Sequence, residues 1–353
     1  MVQSLISIII WRYTAYEAKY AMGDGNVDDR RMEVLMQYDL TIKSCSNSRG
    51  ALMLETDNGL KLLRPCTSGE QRLEFEDLLK QYIRNQGGLC VDTVCRTKEG
   101  KLFAENSYGD RFCIRDWYYG EECSLKEVRH CLVAVDTLNC FQELVRDFPI
   151  GEGLQMYERL PLAEQFSKRI RELKKVRSYI REKKQKNEFE VYYLKLCDGY
   201  YEQALAAEEY IMSQCSAAKE KLPVHGNFSY HSLLAETYRE SELFVLTAFD
   251  KAGFGQQISD FYYLLRKTME KNEWDKELGE CMIRRYLDAK ENPEEECRIL
   301  KAQLMFPEKF WKIANYYFNN RKSWVPQKNI KKMFSNHDRE PRKAEFIKAV
   351  FEV

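Results

Sequence analysis

The periodicity of apolar residues changes once along this chain, and that change constrains the fold more than any other feature. Up to about residue 119, most segments alternate polar and apolar residues as half-buried strands do, with one helical segment among them. After Gly120 the apolar residues recur mainly at helical spacing, almost to the C-terminus. The order predicts an α+β fold with two lobes, a small β-rich N-lobe and a large helical C-lobe.

The N-lobe is expected to contain several short strands around one helix. The predicted strands are 38–42, the two arms of a hairpin within 51–64, 91–96, 101–106 and 111–119. The hairpin closes at Asp57-Asn58-Gly59, and residues 44–50 (SCSNSRG) are expected to form a turn. Ser68 is predicted to cap the helix, which ends at Gly87. A later strand is expected at 242–250. The predicted boundaries are an N-terminal extension at 1–31, the N-lobe at 32–116, a linker at 117–124 and the C-lobe at 125–353.

The charge balance argues against one large class of function. The chain has 55 lysine and arginine residues and 55 aspartate and glutamate residues, so its formal net charge is zero. A dedicated nucleic-acid-binding protein normally carries a basic excess. A net charge of zero also gives little protection against self-association. A strongly basic stretch at 163–186 is interpreted as the solvated face of a helix, with an anionic partner as the alternative.

Cysteine is abundant, yet its spacing does not indicate a metal site. None of the 12 cysteines forms a CxxC pair, and none of the 4 histidines lies at metal-ligand spacing from a cysteine. The chain is long and shows no secretory signal, so we expect reduced thiols in a cytosolic protein.

The N-terminal segment is expected to be a poorly packed extension. Its apolar run at 5–11 is far shorter than the roughly 20 residues that a membrane-spanning helix needs. A turn-rich acidic sequence follows at 23–29 and separates residues 1–31 from the rest. Met22 or Met32 is an alternative start of the native protein.

The segment VHGNFSYHSLL, residues 224–234, has the framing of a catalytic loop of kinase-like phosphotransferases. In the aminoglycoside and choline kinase branch this loop reads H-G-D-x-x-x-x-N, and His225-Gly226 fits its beginning. The position of the aspartate base holds Asn227, whose amide cannot accept a proton at neutral pH. The position of the metal-binding asparagine holds Ser232. The sequence therefore predicts a degenerate catalytic loop.

The metal-binding aspartate that should follow on a later strand is also replaced. The segment Thr247-Ala248-Phe249-Asp250 places Ala248 at that position. Asp250 lies two residues further on, and alternation along a strand would return it to the same face. Asp250 is therefore the candidate metal ligand if the motif is shifted by two residues.

Candidates for nucleotide contacts lie on the hairpin and the helix of the N-lobe. By alternation, Arg64 shares a face with Leu60 and Leu62, so it is expected to replace the phosphate-binding lysine of kinases, with Lys61 as the alternative. Glu76, or else Glu74, is the candidate acidic partner on the helix. A glycine-rich phosphate loop is absent, because SCSNSRG supplies a single glycine.

Five stretches resemble the CotS-type spore coat proteins, a family in the aminoglycoside-phosphotransferase-like branch of the kinase superfamily. They are SRGALMLETDNGLKLLR, DWYYGEECS, RELKKVRSYIREKKQKNEFE, GQQISDFYYLLRKTMEKNEWD and FPEKFWKIANYYFNNRKSWVP, and together they span residues from about 34 to 330. The resemblance implies a bilobal protein-kinase-like fold. It also implies that Asp260 is a structural aspartate that supports the catalytic loop, while a helix N-cap is its local alternative.

Two functions follow as hypotheses. The first is a pseudokinase that acts in spore coat assembly or as a structural component of the coat. It would be located in the mother-cell cytoplasm and then in the spore coat. Its partners would be other coat proteins or further copies of itself. The second is an ATP-dependent small-molecule phosphotransferase that uses ATP and Mg²⁺, with Asp250 as metal ligand and His231 or a substrate group assisting deprotonation. Neither hypothesis requires nucleic acid or a membrane span.

Overall fold

The computed structural model describes residues 28–48, 50–215, 221–236, 243–319 and 327–352. Residues 1–27, most of the predicted extension, lie outside this range. The described residues form two compact units, one containing the chain up to Cys123 together with His231–Lys251, and one containing Ser124–Tyr230 with the chain from Ala252 onward. The predicted C-lobe at 125–353 includes residues 231–251, which the structure groups with the first unit instead. Among the described residues, no helix has the length and apolar character needed to cross a bilayer.

The first unit contains a five-stranded antiparallel sheet with the order β1-β2-β3-β5-β4. Its strands are β1 (Ile42–Ser48), β2 (Ala51–Thr56), β3 (Gly59–Pro65), β4 (Ala104–Glu105) and β5 (Arg111–Asp116). Two helices accompany the sheet, α1 (Asp29–Leu35) and α2 (Glu70–Gln86). The predicted hairpin is confirmed, since Asp57 and Asn58 connect β2 to β3 and Gly59 has a φ of 85°.

Several local predictions for this sheet are wrong. Residues 44–48, predicted as a turn, belong to β1, which begins only at Ile42. Residues 91–96 form no strand and contribute only isolated bridges at Val91 and Val94. Gly69, not Ser68, occupies the N-cap of α2, and no side chain caps it; the helix ends before Gly87 as predicted. The first of these errors arose because polar and small residues favour turns on average but also occupy exposed strands.

A second sheet in the first unit has the order β6-β8-β9. Its strands are β6 (Gly120–Glu122), β8 (Leu233–Glu236) and β9 (Val245–Leu246). The strand predicted at 242–250 is therefore reduced to two described residues, and a 3₁₀ turn follows at Phe249–Lys251. The pairing of β6 with β8 explains why residues 231–251 belong to the first unit.

The second unit is mainly helical. Its helices are α3 (Val128–Leu144), α4 (Leu162–Glu182), α5 (Glu188–Gln214), α6 (Ile258–Lys271), α7 (Lys276–Leu287), α8 (Pro293–Met305), α9 (Glu308–Asn319) and α10 (Gln327–Phe351). Two short strands, β7 (Leu222–Val224) and β10 (Gly253–Gly255), pair with each other. Helix α4 buries a stripe at 3–4 residue spacing that includes Phe166, Ile170 and Leu173, which leaves most of its basic residues outside the core. Helix α5 begins with a capping box formed by Asn187 and Glu190.

A buried carboxylate on α9 ties this helix to two neighbours. Glu308 lies 3.2 Å from Arg169 on α4 and 2.6 Å from Lys312, and Tyr262 on α6 donates a hydrogen bond to it. Burial alone would raise the pKa of Glu308, but Lys312, Arg169 and Arg266 outweigh burial and lower its pKa to about 2. The ionised form is therefore strongly preferred in the folded state.

Glu308 should make the stability of the second unit sensitive to acid. A carboxyl group whose folded pKa is depressed stabilises the fold above its unfolded pKa, and this contribution is lost as the pH falls towards the folded value of about 2. A shift of this size corresponds to about 3 kcal/mol. We expect Glu308→Gln to reduce the stability lost between pH 7 and pH 3 by about 2 kcal/mol, as measured by urea unfolding. Glu280→Gln, in the exposed ion pair with Lys276, is the control and should retain that loss in full.

Candidate functional site

The first unit contains a cavity of about 940 Å³ over the larger sheet. Its lining includes Met53 from β2, Leu60 and Leu62 from β3, and Trp117 and Glu122 near β6. Pockets for small molecules and cofactors usually measure about 300–1,000 Å³ and combine apolar walls with a few polar groups. The cavity therefore has the size and composition of a small-molecule site.

Arg64 supplies a cation to this cavity. It lies on β3 two residues after Leu62 and lines the cavity together with it, as alternation predicts. Its side chain is half-buried and forms no ion pair or hydrogen bond with any residue in the described ranges. Lys61, the alternative candidate, is bound elsewhere, because its ammonium lies 2.7 Å from Asp116 and donates to the carbonyl of Asn58. The guanidinium of Arg64 thus has capacity to bind an anion.

Glu76 is fully buried but does not form an ion pair with Arg64. The Nζ atom of Lys80, one turn along α2, lies 2.5 Å from Glu76, and the guanidinium of Arg115 on β5 lies 2.6 Å from it. Asp92 completes the cluster, at 2.8 Å from Lys80 and 3.4 Å from Arg115. Glu74, the other candidate, is exposed. The acidic residue of α2 is therefore engaged in an internal network of two acids and two bases.

The network is electrically balanced and almost free of solvent. Burial tends to raise the pKa of Glu76, but Lys80 and Arg115 outweigh it and hold the pKa below its usual value. Burial lowers the pKa of Arg115, yet Glu76 and Asp92 raise it above the ordinary value overall. Sequence reasoning missed Lys80, Asp92 and Arg115. The available signals were the four-residue spacing of Glu76 and Lys80 and the charged residues inside apolar segments.

The network also holds the segment that follows β9. The backbone N–H of Ala248 donates to Asp92 over 3.3 Å, and the ammonium of Lys80 lies 5.1 Å from the ring centre of Phe249. Ala248 has a φ of 64°, a left-handed conformation that asparagine, aspartate and glycine adopt more readily than alanine. The backbone at residue 248 therefore has a conformation that aspartate would adopt readily, but the side chain present there is only a methyl group.

The strand-alternation argument for Asp250 is wrong. The chain leaves the extended conformation at Ala248, and Asp250 lies in the 3₁₀ turn, where a period of two no longer applies. The carbonyl oxygen of Asp250 accepts two hydrogen bonds of 3.2 Å from Arg72, while its half-buried carboxylate bonds to no described residue. Within the described ranges, no three His, Cys, Asp or Glu side chains are grouped as metal ligands.

The beginning of the predicted catalytic loop lies in the second unit and is held by Asp260. The two carboxylate oxygens of Asp260 accept hydrogen bonds from the backbone N–H groups of His225, over 2.7 Å, and Gly226, over 2.8 Å. Gly226 has a φ of 81°, and His225 is buried with its ring edge-on to Phe141. Burial raises the pKa of Asp260 above its ordinary value.

Asp260 does not cap α6, so that alternative for its role is wrong. Gln257 is the N-cap residue and makes no side-chain capping bond, while Asp260 lies in the first turn. Its carboxylate is aimed at the loop, where it immobilises the backbone of His225 and Gly226. Arg159 also holds the loop, by donating to the carbonyl of Gly226 over 3.1 Å.

The remaining candidate positions of the loop are divided between the two units. Asn227 is half-buried in the second unit, and its backbone N–H points to the ring of His225 at 3.3 Å. Ser232, in the first unit, is buried, and its carbonyl accepts a 2.8 Å hydrogen bond from Thr247. His231, in the same unit, is exposed and lies 3.1 Å from Glu122.

Comparisons with known proteins identify the fold. By sequence, no known family profile and no curated protein matches this chain. An aminoglycoside phosphotransferase from Alicyclobacillus acidocaldarius has a similar structure, with a TM-score of 0.77 at 16% identity over 94% of this chain and 97% of that one. An AMP-bound spectinomycin phosphotransferase has a TM-score of 0.67 at 10% identity, and the match covers 92% of this chain and 100% of that one. For a microcompartment-associated aminopropanol kinase the TM-score is 0.58 at 12% identity, over 89% and 96% of the two chains.

This chain therefore has the kinase-like fold of the aminoglycoside phosphotransferases, with a β-sheet N-terminal region and a helical C-terminal part. The predicted fold class is confirmed. At these identities the comparisons establish the fold and leave the function to be argued from the site.

Proposed function

We propose that this protein is a catalytically inactive member of the phosphotransferase fold that works as a spore coat-associated protein. The observation that carries the first part is Ala248. Its left-handed backbone would suit an aspartate, but its methyl group cannot bind a metal ion. Asn227 and Ser232 occupy the other two demanding positions, and catalytic residues act as a unit, so the loss of all three removes the chemistry.

Glu76 supports the same conclusion. In a working kinase the acidic residue of this helix pairs with the phosphate-binding lysine. Here Glu76 is bound by Lys80 and Arg115, both fully or almost fully buried, and serves the interior of the first unit. The acidic side chain that would help to orient a nucleotide in a kinase is here buried in the interior of the first unit.

The role in the spore coat is supported by the five stretches that resemble CotS-type proteins. Within this proposal the protein is made in the mother-cell cytoplasm and deposited on the forespore, where it binds other coat proteins or further copies of itself. A net charge of zero is compatible with self-association, because little electrostatic repulsion opposes it.

A fluorescent fusion expressed in an endospore-forming host tests this role. We expect fluorescence in the mother cell after engulfment begins, followed by a shell around the forespore. Diffuse fluorescence that never concentrates at the spore surface would contradict the proposal.

The cavity favours a second candidate, an ATP-dependent small-molecule phosphotransferase with unusual catalytic residues. Arg64 lines a 940 Å³ space and forms no ion pair within contact distance of a described carboxylate, so a nucleotide phosphate could bind it. In this alternative Asp250 binds Mg²⁺, and His231 or a substrate group assists deprotonation.

Thermal unfolding with ATP or GTP, with and without Mg²⁺, separates the candidates. A ligand at one hundred times its Kd adds about 2.7 kcal/mol to the stability, so binding is visible as a raised unfolding temperature. A Mg²⁺-dependent rise that Asp250→Ala abolishes would support the enzyme. A rise without Mg²⁺ dependence that Arg64→Ala abolishes would indicate an inactive nucleotide-binding protein.

A further inference from the structure

A small charged cavity in the second unit lies among residues of α6, α9 and α10. Its volume is about 30 Å³, and its lining includes three acidic side chains and four cationic ones, Arg266, Lys309, Arg339 and Lys343. A water molecule needs roughly 10–15 Å³ of such a volume, and pockets for organic ligands usually measure about 300–1,000 Å³. The cavity therefore has room for a few water molecules or for one monatomic ion.

Arg266, on α6, brings an unpaired hydrogen-bond donor to this cavity. The residue is 7% exposed, and its Nη1 atom donates to Glu270 on the next turn of the helix over 2.5 Å. Its Nε atom is buried and has no acceptor among the residues that the structure describes. Nε–H and one N–H of Nη2 form the other edge of the guanidinium fork, where two parallel donors can hold one acceptor. A buried donor without an acceptor keeps its full desolvation cost, so this edge favours an acceptor in the cavity.

Two of the acidic side chains are bound by cations of the same lining. Glu270 lies 2.5 Å from Arg266 and 3.5 Å from Lys309. Glu340 lies 3.0 Å from Lys343, which is 9% exposed and donates one of its three N–H groups to this carboxylate. Together these two acids and three bases leave one positive charge in excess.

The third acidic side chain is neutralised by cations outside the cavity. Glu308 lies 3.2 Å from Arg169 and 2.6 Å from Lys312. Arg339, the fourth cation of the lining, lies 3.5 Å from Glu273. The surroundings of the cavity therefore carry more positive than negative charge, which favours an anion over a cation or a neutral molecule.

We propose that this cavity binds one small monovalent anion, chloride being the natural occupant, through the free edge of Arg266 and the ammonium of Lys343. Phosphate and sulfate contain several heavy atoms and exceed the volume. A water molecule would accept the same hydrogen bond from Arg266 but would not offset the excess charge. The anion would connect α6 to α10 and stabilise the second unit by mass action. The inference holds whether or not the protein has lost its phosphotransferase chemistry.

Diffraction from crystals of the full-length protein grown in sodium bromide tests the proposal directly. Bromide resembles chloride in size and charge, and its anomalous scattering identifies its position. We expect an anomalous peak in the cavity, within hydrogen-bonding distance of Nε of Arg266. A cavity that contains only water and gives no anomalous signal would overturn the proposal.

Thermal unfolding of the full-length protein measures the same binding in solution. Sodium chloride replaces sodium gluconate at constant ionic strength, and gluconate is too large for the cavity. We expect chloride at about five times its Kd to raise the unfolding temperature by about 2–4 °C, along a saturating curve. An unfolding temperature that is the same in both salts, or that changes linearly with chloride, would contradict specific binding.

Variants assign the binding to Arg266. Arg266→Lys keeps the positive charge but removes the parallel N–H groups, so it should abolish the saturating response to chloride. Arg285→Lys is the matched control, because Arg285 forms an ion pair with Asp136 and does not line the cavity; it should retain the response. The bromide position in the wild-type protein decides the question even if Arg266→Lys fails to fold.

Discussion

Replacement of Lys80 by methionine is expected to lower the free energy of unfolding of the first unit by about 3–5 kcal/mol, because it leaves two buried carboxylates with one cation. Lys80 is completely buried and lies 2.5 Å from Glu76 and 2.8 Å from Asp92. Methionine has a similar length, so the cavity term is small and the loss is mainly electrostatic. Urea unfolding monitored by tryptophan fluorescence at pH 7 measures the change.

A matched surface variant and a double variant separate charge from packing. Lys101 forms an exposed ion pair with Glu99, and Lys101→Met should produce no measurable change. The double variant Lys80→Met/Glu76→Gln leaves Arg115 and Asp92 as a balanced pair, so it should be more stable than the sum of the single variants predicts. If Lys80→Met costs no more than Lys101→Met, the network does not stabilise this unit.

Asp260→Ala should destabilise the second unit by about 2–5 kcal/mol, because it removes the acceptor of two backbone N–H groups. These groups belong to His225 and Gly226, and they donate to the carboxylate over 2.7 and 2.8 Å. We expect the amide hydrogens of both residues to exchange much faster with solvent in the variant. Hydrogen exchange followed by mass spectrometry measures this loss of protection.

Asp260→Asn refines this prediction. The amide keeps the volume of the side chain but presents donors to one of the two N–H groups, so it should lose much of the same protection. Asp338→Asn, on the exposed side of α10, should leave exchange at the loop unchanged. Equal exchange at His225 and Gly226 in Asp260→Ala and in the wild type would show that other contacts hold the loop.

Local signals made part of this fold predictable. The hairpin at Asp57-Asn58 and the end of α2 at Gly87 depend on turn chemistry within a few residues. The three-stranded sheet was not predictable in this way, because Gly120 pairs with Glu236, which is far away in the sequence. A pairing of this kind is determined by tertiary packing and leaves only weak local signals.

The candidate site was likewise predictable from the sequence only where local regularity determines the position of a side chain. Alternation placed Arg64 correctly on the cavity side of β3, because β3 is regular along its length. The same reasoning failed for Asp250, because the positive φ of Ala248 ends the extended conformation before it. Lys80 lies one turn from Glu76 on α2, but Arg115 and Asp92 come from two other segments, so only the folded chain brings the network together.

Transfer or release of the γ-phosphate of ATP is the most direct test of the account. The wild-type protein is incubated with radiolabelled ATP and Mg²⁺ or Mn²⁺, alone and with aminoglycosides or short amino alcohols as acceptors, and compared with the Asp250→Ala variant. We predict that the wild type does not exceed the rate without protein and that Asp250→Ala behaves identically. Metal-dependent turnover by the wild type that Asp250→Ala abolishes would contradict the conclusion that this phosphotransferase fold has lost its chemistry.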